Sequence, residues 1–282
     1  MLNQEAALRA VRAALEEDLG GGDITSAAVI AEGTGARGRI VARQPLVVAG
    51  LPVARLVFLE VDPAVVFRES GAEGSERRGG EEIATVAGPA RAILAAERTA
   101  LNFLQRMSGI ATTTRRLTRL ALGHAVQIAD TRKTAPGLRA IDKYAVHVGG
   151  GTNHRAGLSD GVLIKDNHWR LAGGITEAIR RARRALPAGI AAREIEVEVG
   201  SVAEAEEAIA AGAGMLLLDN MDRATLERAV AAARGRAFLE VSGGVREEDL
   251  PTILALGVDR VSMGALTHSV RAADIALEIE AT

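Results

Sequence analysis

The cationic side chains that could do chemistry in this chain are concentrated in one short window. Lys133, Lys143 and Lys165 are its only lysines, and all other basic residues are arginines. The same window, from Asp130 to Trp169, holds three of the five histidines, the only tyrosine and the only tryptophan. Lysine is a compact point charge whereas arginine is a planar fork, so lysine in an arginine-rich chain indicates positions where shape matters.

Five basic residues of this window are expected to converge, because they follow predicted strands or lie in the loops after them: Arg132, Lys133, His154, Arg155 and Lys165. Two like charges about 4 Å apart repel by about 4 kcal/mol at an effective dielectric constant near 20, and a bound anion relieves that repulsion. Any one of the five alone is more commonly a solvated loop charge or half of an ion pair. Together they predict a site for a polyanionic small molecule.

Acidic residues in two later segments could bind a divalent cation. In the run EIEVEV, residues 194–199, glutamates alternate with aliphatic residues, so the glutamates share one face of a strand. That face is either the interior of a barrel or the exposed side of an edge strand. Glu198 and Asp219, which follows the run GMLLL, offer oxygen ligands suited to Mg²⁺ held together with substrate phosphates.

Glycine turns after two predicted strands could bind phosphate. Ser242 and Gly243 follow the run AFLEV, and Gly264 follows the run DRVSM. Each turn precedes a helical stretch, whose free backbone N–H groups and dipole favour an anion. His268 lies close enough behind Gly264 to reach the same ligand, although a lone histidine is as often structural.

These groups require a framework of alternating strands and helices. Short apolar runs alternate with helical stretches in the second half of the chain, at AVQIA, GVLIK, EIEVEV, GMLLLD, AFLEVS and DRVSMG. This alternation is typical of parallel βα units. Strands with polar residues just past their ends favour a parallel (β/α) barrel over an open sheet, and no GxGxxG fingerprint indicates a Rossmann fold.

The N-terminal part is predicted to form a smaller α+β domain. Apolar positions at helical spacing predict an amphipathic helix over residues 4–18. Strand-like runs broken by Gly and Pro follow between residues 36 and 88, with one helical piece near residues 51–59. Two further helices separated by a glycine break are predicted at residues 89–106 and 110–122, with the break at Ser108-Gly109.

Charge and composition exclude several classes of protein. The 282 residues carry a formal net charge of -2, so no global field recruits nucleic acid or an anionic membrane. No run reaches the roughly 18 apolar residues of a membrane span, and the acidic N-terminal segment is unlike a signal peptide. The lack of cysteine excludes disulfides, thiolate zinc sites and a cysteine nucleophile. We therefore expect a cytoplasmic protein that binds neither nucleic acid nor membrane.

The run DTRKTAPGLRAIDKYAVHVGGGTNHRAGLSDGVLIKDNH, residues 130–168, resembles the quinolinate phosphoribosyltransferases, also called nicotinate-nucleotide pyrophosphorylases (carboxylating). Matching pieces extend over almost the whole chain, among them LEEDLGGGDITS, ERTALNFLQRMSGIAT, LLLDNM, LEVSGGV and GVDRVSMGALTHS. The resemblance implies an N-terminal α+β open-faced sandwich, residues 1–108, and an incomplete parallel (β/α) barrel of seven strands, residues 109–268. It also implies a C-terminal helix within residues 269–282 that packs back on the N-terminal domain.

The resemblance implies a reaction as well. The family transfers phosphoribose from phosphoribosyl pyrophosphate to quinolinate and releases one carboxylate as CO₂, which gives nicotinate mononucleotide and pyrophosphate in de novo NAD biosynthesis. A dicarboxylate and a pyrophosphate would account for the clustered cations. Mg²⁺ is the expected cofactor, and a homodimer or higher homo-oligomer is the expected assembly.

The family's motifs also assign roles to individual residues. Guanidinium forks match carboxylates, and the residues expected to bind quinolinate are Arg132, His154, Arg155 and, from a neighbouring subunit, Arg98. The catalytic groups would be two lysines that neutralise both substrates and two acids that face the ribose and its Mg²⁺: Lys133, Lys165, Glu198 and Asp219. Phosphate would be held by Ser242, Gly243, Gly264 and His268.

Three other interpretations remain open on the sequence alone. A related barrel family associated with molybdate genes shares much of the motif set, although the segment KDNH favours the quinolinate enzymes. A phosphate-binding barrel lyase or isomerase would need one lysine placed for a Schiff base or one carboxylate placed for proton abstraction. A nucleotide-binding regulatory module would not need paired acids in addition to clustered cations.

Overall fold

The computed structural model describes residues 1–186 and 195–281, which fold into two compact units. The first unit comprises residues 1–116, residues 133–151 and the C-terminal segment from Ala265. The second unit comprises residues 117–132 and 152–264. The compact units therefore divide the chain differently from the predicted domains, whose boundary at residue 108 falls within a helix.

The first unit contains a four-stranded antiparallel sheet and a set of helices. The strand order is β12-β1-β5-β3, and a separate short pair is formed by β2 and β4. The elements of this unit are α1 (Gln4–Leu19), α2 (Ile24–Val29), β1 (Gly35–Ala42), β2 (Leu46–Val47), α3 (Leu51–Val61), β3 (Val66–Glu69), β4 (Glu76–Arg77), β5 (Glu82–Pro89), the helix α4 (Ala90–Leu120) except its last turn, α5 (Arg139–Val148), α11 (Ala265–His268) and β12 (Ile275–Ala281).

The helices α1 and α3 confirm two predictions from apolar spacing. In α1 the buried residues are Ala7, Val11 and Leu15, four positions apart, so they form one stripe. The helix begins where the side chain of Asn3 accepts the backbone N–H of Ala6 at 3.0 Å, and α1 contacts both α3 and α5. Helix α1 thus packs the start of the chain against α5, which lies within the window from Asp130 to Trp169.

The predicted helix break at Ser108-Gly109 is wrong, because both residues lie inside α4, which is one helix of 31 residues. Gly109 instead allows the backbone of the C-terminal segment to approach the helix closely. A Cβ added to Gly109 would lie 2.2 Å from the carbonyl oxygen of Arg271 and 3.1 Å from the Cα of Ala272. The C-terminal segment therefore runs directly against the helix backbone. Neither α4 nor any other helix among the described residues is long and apolar enough to span a membrane.

A Gly109→Ala substitution is expected to destabilise the fold by about 1–3 kcal/mol, because the added methyl group forces the helix and the C-terminal segment apart. Urea unfolding followed by circular dichroism measures the change. Gly21→Ala is the matched control, since an added Cβ there meets no described atom within 4 Å. Equal stability of the two variants would contradict this account of Gly109.

The C-terminal segment is a strand, so the helix predicted within residues 269–282 is wrong. The strand β12 pairs antiparallel with β1 from Ala36↔Ala281 to Ala42↔Ile275. The run IALEIE alternates large apolar and other residues with a period of two, which is the pattern of a strand rather than of a helix. The strand places the chain end at the edge of the sheet that contains β1, β5 and β3.

The second unit confirms the prediction of an incomplete parallel (β/α) barrel. Six of its described strands form one parallel sheet in the order β6-β11-β10-β9-β8-β7. Thr152 adds a single parallel bridge to Ala129 of β6, and the described sheet has six strands where the resemblance implies seven. The elements are β6 (Gln127–Ala129), β7 (Val162–Ile164), α6 (Asp166–Ala172), α7 (Ile175–Ala185), β8 (Ile195–Val199), α8 (Val202–Ala210), β9 (Met215–Asp219), α9 (Arg223–Ala233), β10 (Phe238–Ser242), a 3₁₀ turn (Glu247–Asp249), α10 (Leu250–Ala255) and β11 (Arg260–Ser262).

The strand register separates the second unit's sheet into an apolar face and a polar face. Glu198 and Glu240 both lie opposite Leu217, and Ser242 lies opposite Asp219, so these side chains share one face. The aliphatic residues between them point to the other face, where α6 to α9 pack side by side in chain order. The strand β8 lies between β7 and β9, which rules out the edge-strand alternative for its glutamates. Glu194, the first glutamate of that run, lies outside the described residues.

Candidate active site

An ion pair between Lys165 and Glu198 lies at the C-terminal ends of β7 and β8. The Lys165 Nζ is 2.8 Å from the Glu198 Oε2, and the Glu198 side chain is largely buried. Two residues of α6 support the pair: His168 Nδ1 accepts the backbone N–H of Lys165 at 2.8 Å, and the Trp169 indole N–H donates to the Glu198 carbonyl oxygen at 3.3 Å. The strand ends and the following helix thus bring together two groups that the sequence predicted as catalytic.

The backbone that carries His154 and Arg155 is fixed by a buried aspartate. Asp130 has no exposed surface and follows β6 directly. Its carboxylate accepts the Asn153 side-chain N–H at 2.5 Å and the His154 backbone N–H at 2.9 Å. Hydrogen bonds between the backbones of Thr152 and residues 128–130 hold the same segment against the sheet. Contacts with the end of β6 therefore fix the position of this segment.

The contacts of the His154 ring define which of its nitrogens carries the proton. The backbone N–H of Arg155 donates to Nδ1 at 2.8 Å, so Nδ1 is unprotonated and the neutral ring has its proton on Nε2. That Nε2 lies 3.2 Å from the Glu196 Oε2 and 3.5 Å from the Glu240 Oε1. Both ring nitrogens thus face protein groups in this structure, and the quinolinate-binding role assigned to His154 remains a prediction.

The His154, Glu196 and Glu240 side chains come as close as the ligands of one metal ion, within 4.8 Å of one another. The proton on Nε2 argues against a metal here. A metal ligand must offer a lone pair, and Nε2 can offer one only if the ring loses the Arg155 contact or becomes an anion. The cluster therefore suits a hydrogen-bonded arrangement better than a cation site.

Burial, and to a smaller extent the charge of Glu196, raises the pKa of Glu240 to about 7. Glu240 has no exposed surface, although Arg260 on the neighbouring strand pairs with its Oε2 at 2.9 Å. The Oε1 atoms of Glu196 and Glu240 are buried and have no hydrogen-bond partner among the described residues. Charging both carboxyl groups is consequently unfavourable.

Glu240→Gln is expected to become more stable than the wild-type chain as pH rises from 5 to 8, by about 1–3 kcal/mol. The raised pKa means that the folded state binds a proton that the unfolded chain releases near pH 4.5, so the stabilisation by this carboxyl is complete below that pH and is lost as pH rises through about 7. Glutamine does not titrate. Urea unfolding at several pH values tests this, with the exposed Glu227→Gln as control; a pH-independent difference would contradict it.

Arg132 and Arg155 form the cationic part of the second unit's site. Burial, and then the positive charge of Arg132, lowers the pKa of Arg155. The charge of Glu196 opposes that effect. Two half-buried guanidinium groups that repel each other are the arrangement that an anionic ligand stabilises, and their forks match carboxylates.

The ends of β9 and β10 form a tight turn region. Asn220, directly after Asp219, has φ 51°, and its side-chain N–H donates to the Asp219 carboxylate at 2.6 Å. Its backbone N–H donates to the Ser242 carbonyl at 3.2 Å. Gly243 has φ 88°, and an added Cβ would lie 2.5 Å from the Asn220 Oδ1, so only glycine fits. Asp219, Ser242 and Gly243 are thus brought together as predicted, on the face that also holds Glu198.

The remaining predicted residues lie elsewhere in the chain. Lys133 is exposed in the first unit, and its carbonyl oxygen accepts the Thr267 hydroxyl at 2.9 Å. The neighbouring His268 is exposed and contacts the Ser269 hydroxyl at 2.7 Å. Gly264 ends the second unit directly before α11. Arg98 is exposed on α4, in the first unit. Their roles in substrate binding stay predictions.

Several residues that shape the site were not selected from the sequence. Glu240 and Arg260 form a buried pair across β10 and β11, and Asp130 fixes the His154 segment. The period-two rule that placed Glu198 could have found Glu240, because it lies two residues before Ser242 in the same strand. Nothing in the local sequence identifies the partner of Asp130 or of Arg260.

A parallel barrel sheet whose polar face ends in acids, cations and a glycine turn defines a (β/α) barrel enzyme for anionic substrates. Two family models match the chain: the quinolinate phosphoribosyl transferase N-terminal domain over residues 23–108 and the C-terminal domain over residues 110–278. The chain belongs to the quinolinate phosphoribosyltransferase family.

Individual relatives agree with this assignment. The chain is 43% identical over 283 residues to the nicotinate-nucleotide pyrophosphorylase [carboxylating] of Mycobacterium leprae, with 98% of each chain covered. It is 42% identical to a probable enzyme of the same name from Bacillus subtilis, over 93% of this chain and 90% of the relative. The solved nicotinate-nucleotide pyrophosphorylase of Francisella tularensis superposes with a TM-score of 0.93 at 37% identity, covering 99% of this chain and 98% of that one.

Proposed function

We propose that this chain transfers phosphoribose from phosphoribosyl pyrophosphate to quinolinate with decarboxylation, giving nicotinate mononucleotide, pyrophosphate and CO₂ in de novo NAD biosynthesis. The Lys165–Glu198 pair at adjacent strand ends carries the proposal, because it sets a cation beside a carboxylate where a polyanion and a developing sugar cation would meet. The names of relatives at 42% and 43% identity support the same reaction.

In this proposal the arginine guanidinium groups bind quinolinate, and the glycine turns at the strand ends bind phosphate. Arg132 and Arg155 repel each other when the site is empty, so a dicarboxylate both binds to them and relieves their repulsion. The Ser242-Gly243 turn is a suitable place for a phosphate, since Gly243 lets the backbone approach closely. The proposed set of substrate-binding residues is completed by His154, Lys133, Gly264 and His268.

Mg²⁺ is the proposed cofactor, and Glu198 and Asp219 are the residues that would hold it. Both carboxylates lie on the polar face at the ends of neighbouring strands, and hard oxygen donors suit this ion. When bound, Mg²⁺ would neutralise charge that develops on the departing pyrophosphate. The loss of activity on chelation, and its return with added Mg²⁺, tests this assignment.

The chain's own residues can support both chemical steps. As the bond to pyrophosphate breaks, the ribose carbon becomes oxocarbenium-like, and the negative charge of Glu198 favours it while Lys165 attracts the leaving group. After transfer, the pyridine nitrogen is cationic and stabilises the carbanion left when the adjacent carboxylate departs as CO₂, and this carbanion takes up a proton from water to give nicotinate mononucleotide. The arginines need only hold and desolvate the ring for that step.

The direct experiment incubates purified protein with Mg²⁺, quinolinate and phosphoribosyl pyrophosphate and measures nicotinate mononucleotide and CO₂. Product formation that requires both substrates is the expected result. Borohydride trapping of substrate on a lysine would instead favour the Schiff-base lyase alternative. No product under these conditions would overturn the assignment. We also propose that the enzyme acts in the cytoplasm, which cell fractionation tests.

A homodimer that shares Arg98 between subunits is part of the proposal, and the exposed position of Arg98 on α4 is compatible with it. Arg98→Ala and Arg155→Ala are each expected to be nearly inactive alone. Mixed dimers of the two variants would contain one site with both arginines, so mixing after partial unfolding is expected to restore up to about a quarter of the activity. No restoration, with mixed dimers shown by mass spectrometry, would contradict the sharing.

A further inference from the structure

The structure leaves the buried carboxylates Glu196 and Glu240 without a role in the chemistry described above. They lie on β8 and β10, on the polar face, deeper in the sheet than Glu198 and Ser242. Their exposed fractions are 5% and 0%. Burying two carboxyl groups side by side is costly, so a fold that keeps both needs a compensating function.

The Glu196 carboxylate accepts the proton on His154 Nε2 at 3.2 Å. The Glu240 carboxylate lies beside this contact, 3.5 Å from the same nitrogen, and makes no hydrogen bond to it. Arg260 pairs with the other oxygen of Glu240 at 2.9 Å and so holds that carboxyl in place. The Glu196 acceptor on one side of the ring and the Arg155 N–H on the other select a single tautomer and a single ring orientation.

The ring in turn fixes Arg155. Its Nδ1 accepts the backbone N–H of Arg155 at 2.8 Å, while Asp130 accepts the backbone N–H of His154 at 2.9 Å. The start of the Arg155 side chain is therefore set from two sides. A ring protonated on Nδ1 would present N–H to N–H at this contact, and a flipped ring would present its Cδ2–H, so in either case the Arg155 N–H would lose its acceptor.

We propose that Glu196 is a positioning residue: it holds His154 with its proton on Nε2, and the ring's Nδ1 then orients Arg155 for the carboxylates of the substrate. The identity of the substrate as quinolinate rests on the proposed function. The tautomer of His154 and its dependence on Glu196 do not rest on it.

Paired variants of Glu196 test the proposal, because Glu196 hydrogen-bonds the ring but is not placed in the binding machinery. Glu196→Gln keeps an oxygen that accepts the Nε2–H, and Glu196→Leu removes it with a similar volume. Calorimetric titration in the absence of the second substrate is expected to give at least tenfold weaker quinolinate binding for Glu196→Leu and less than threefold weaker binding for Glu196→Gln. Phosphoribosyl pyrophosphate should bind within twofold of wild type in both.

A purely structural role for Glu196 would weaken the binding of both substrates together, or would change unfolding without changing quinolinate binding. Either result in a folded Glu196→Leu protein overturns the proposal. If that variant does not fold, Glu196→Asp, which withdraws the carboxylate from the ring by one methylene group, provides the same comparison with Glu196→Gln.

Nitrogen-15 NMR of the His154 ring separates this proposal from the proposed function. The wild-type ring is expected to show the proton on Nε2. The Glu196→Leu variant is expected to lose that single tautomer. A proton on Nδ1 in the wild-type protein overturns the positioning role whatever the substrate. Nε2 protonation in a protein that neither binds nor converts quinolinate would overturn the proposed function and leave the carboxylate–histidine link supported.

Discussion

An Arg155→Ala variant is expected to lose about 10³-fold in kcat/KM for quinolinate, the largest effect of any single substitution in the proposed site. Truncating one partner of a desolvated charge-assisted contact costs about 2–5 kcal/mol, and each 1.4 kcal/mol corresponds to a tenfold change in rate. Arg155 is half-buried beside Arg132, so its contact with a carboxylate would be shielded from water. Steady-state kinetics with quinolinate varied measures the loss.

Arg155→Lys is the informative companion to that variant. It keeps the charge and removes the planar fork, so it is expected to recover only a small part of the lost activity. Arg181→Ala is the control, since Arg181 is exposed on α7 and pairs with Glu177 one turn away. Arg155→Lys at wild-type kcat/KM would contradict bidentate recognition of the substrate.

A Lys165→Met variant is expected to lose about 10²–10³-fold in kcat with the fold intact, because one preorganised charge at the site of charge development is worth that much. Lys165 is half-exposed, and exposed ion pairs contribute at most about 1 kcal/mol to stability. Methionine keeps most of the aliphatic stem. The experiment combines kcat with urea unfolding of the same preparation.

Whether kcat and the unfolding midpoint change together or separately decides the role of Lys165. A large fall in kcat with an unchanged unfolding midpoint assigns Lys165 to the reaction. A fall in both would show that the Lys165–Glu198 pair mainly supports the fold. Arg170→Ala tests the neighbouring charge on α6, which is exposed and pairs with Asp166 at 3.2 Å, and it is expected to retain most of the activity.

The strand-end groups were predictable because their position depends only on local periodicity. Period-two alternation placed Glu198 on the polar face, and parallel strands bring their C-terminal ends to one edge, which joined Lys165 to Glu198 and Ser242 to Asp219. The resemblance over residues 130–168 added the identity of the anions. Fold class and the centre of the site therefore followed from the sequence.

The errors and omissions depend on contacts between distant parts of the chain. Gly109 was interpreted as a helix break because the approach of Arg271 to its backbone cannot be read from local sequence. The surroundings of the His154 ring include Glu196 and Glu240, which lie on two separate strands far from it in the sequence. The error at β12 has another cause. The alternation of apolar residues in this segment is visible in the sequence and predicts a strand, but the helix implied by the family resemblance was preferred.

The chain has a single tryptophan, and that residue is fixed to the backbone of the proposed metal ligand. Trp169 donates to the carbonyl of Glu198, and Arg170 stacks on its ring with 5.4 Å between the guanidinium carbon and the ring centroid. Indole emission responds to nearby charge, so the protein contains its own optical probe of the second unit's site. Stopped-flow fluorescence of the unlabelled enzyme could then time the arrival of each substrate, and the order of binding would emerge from the native chain.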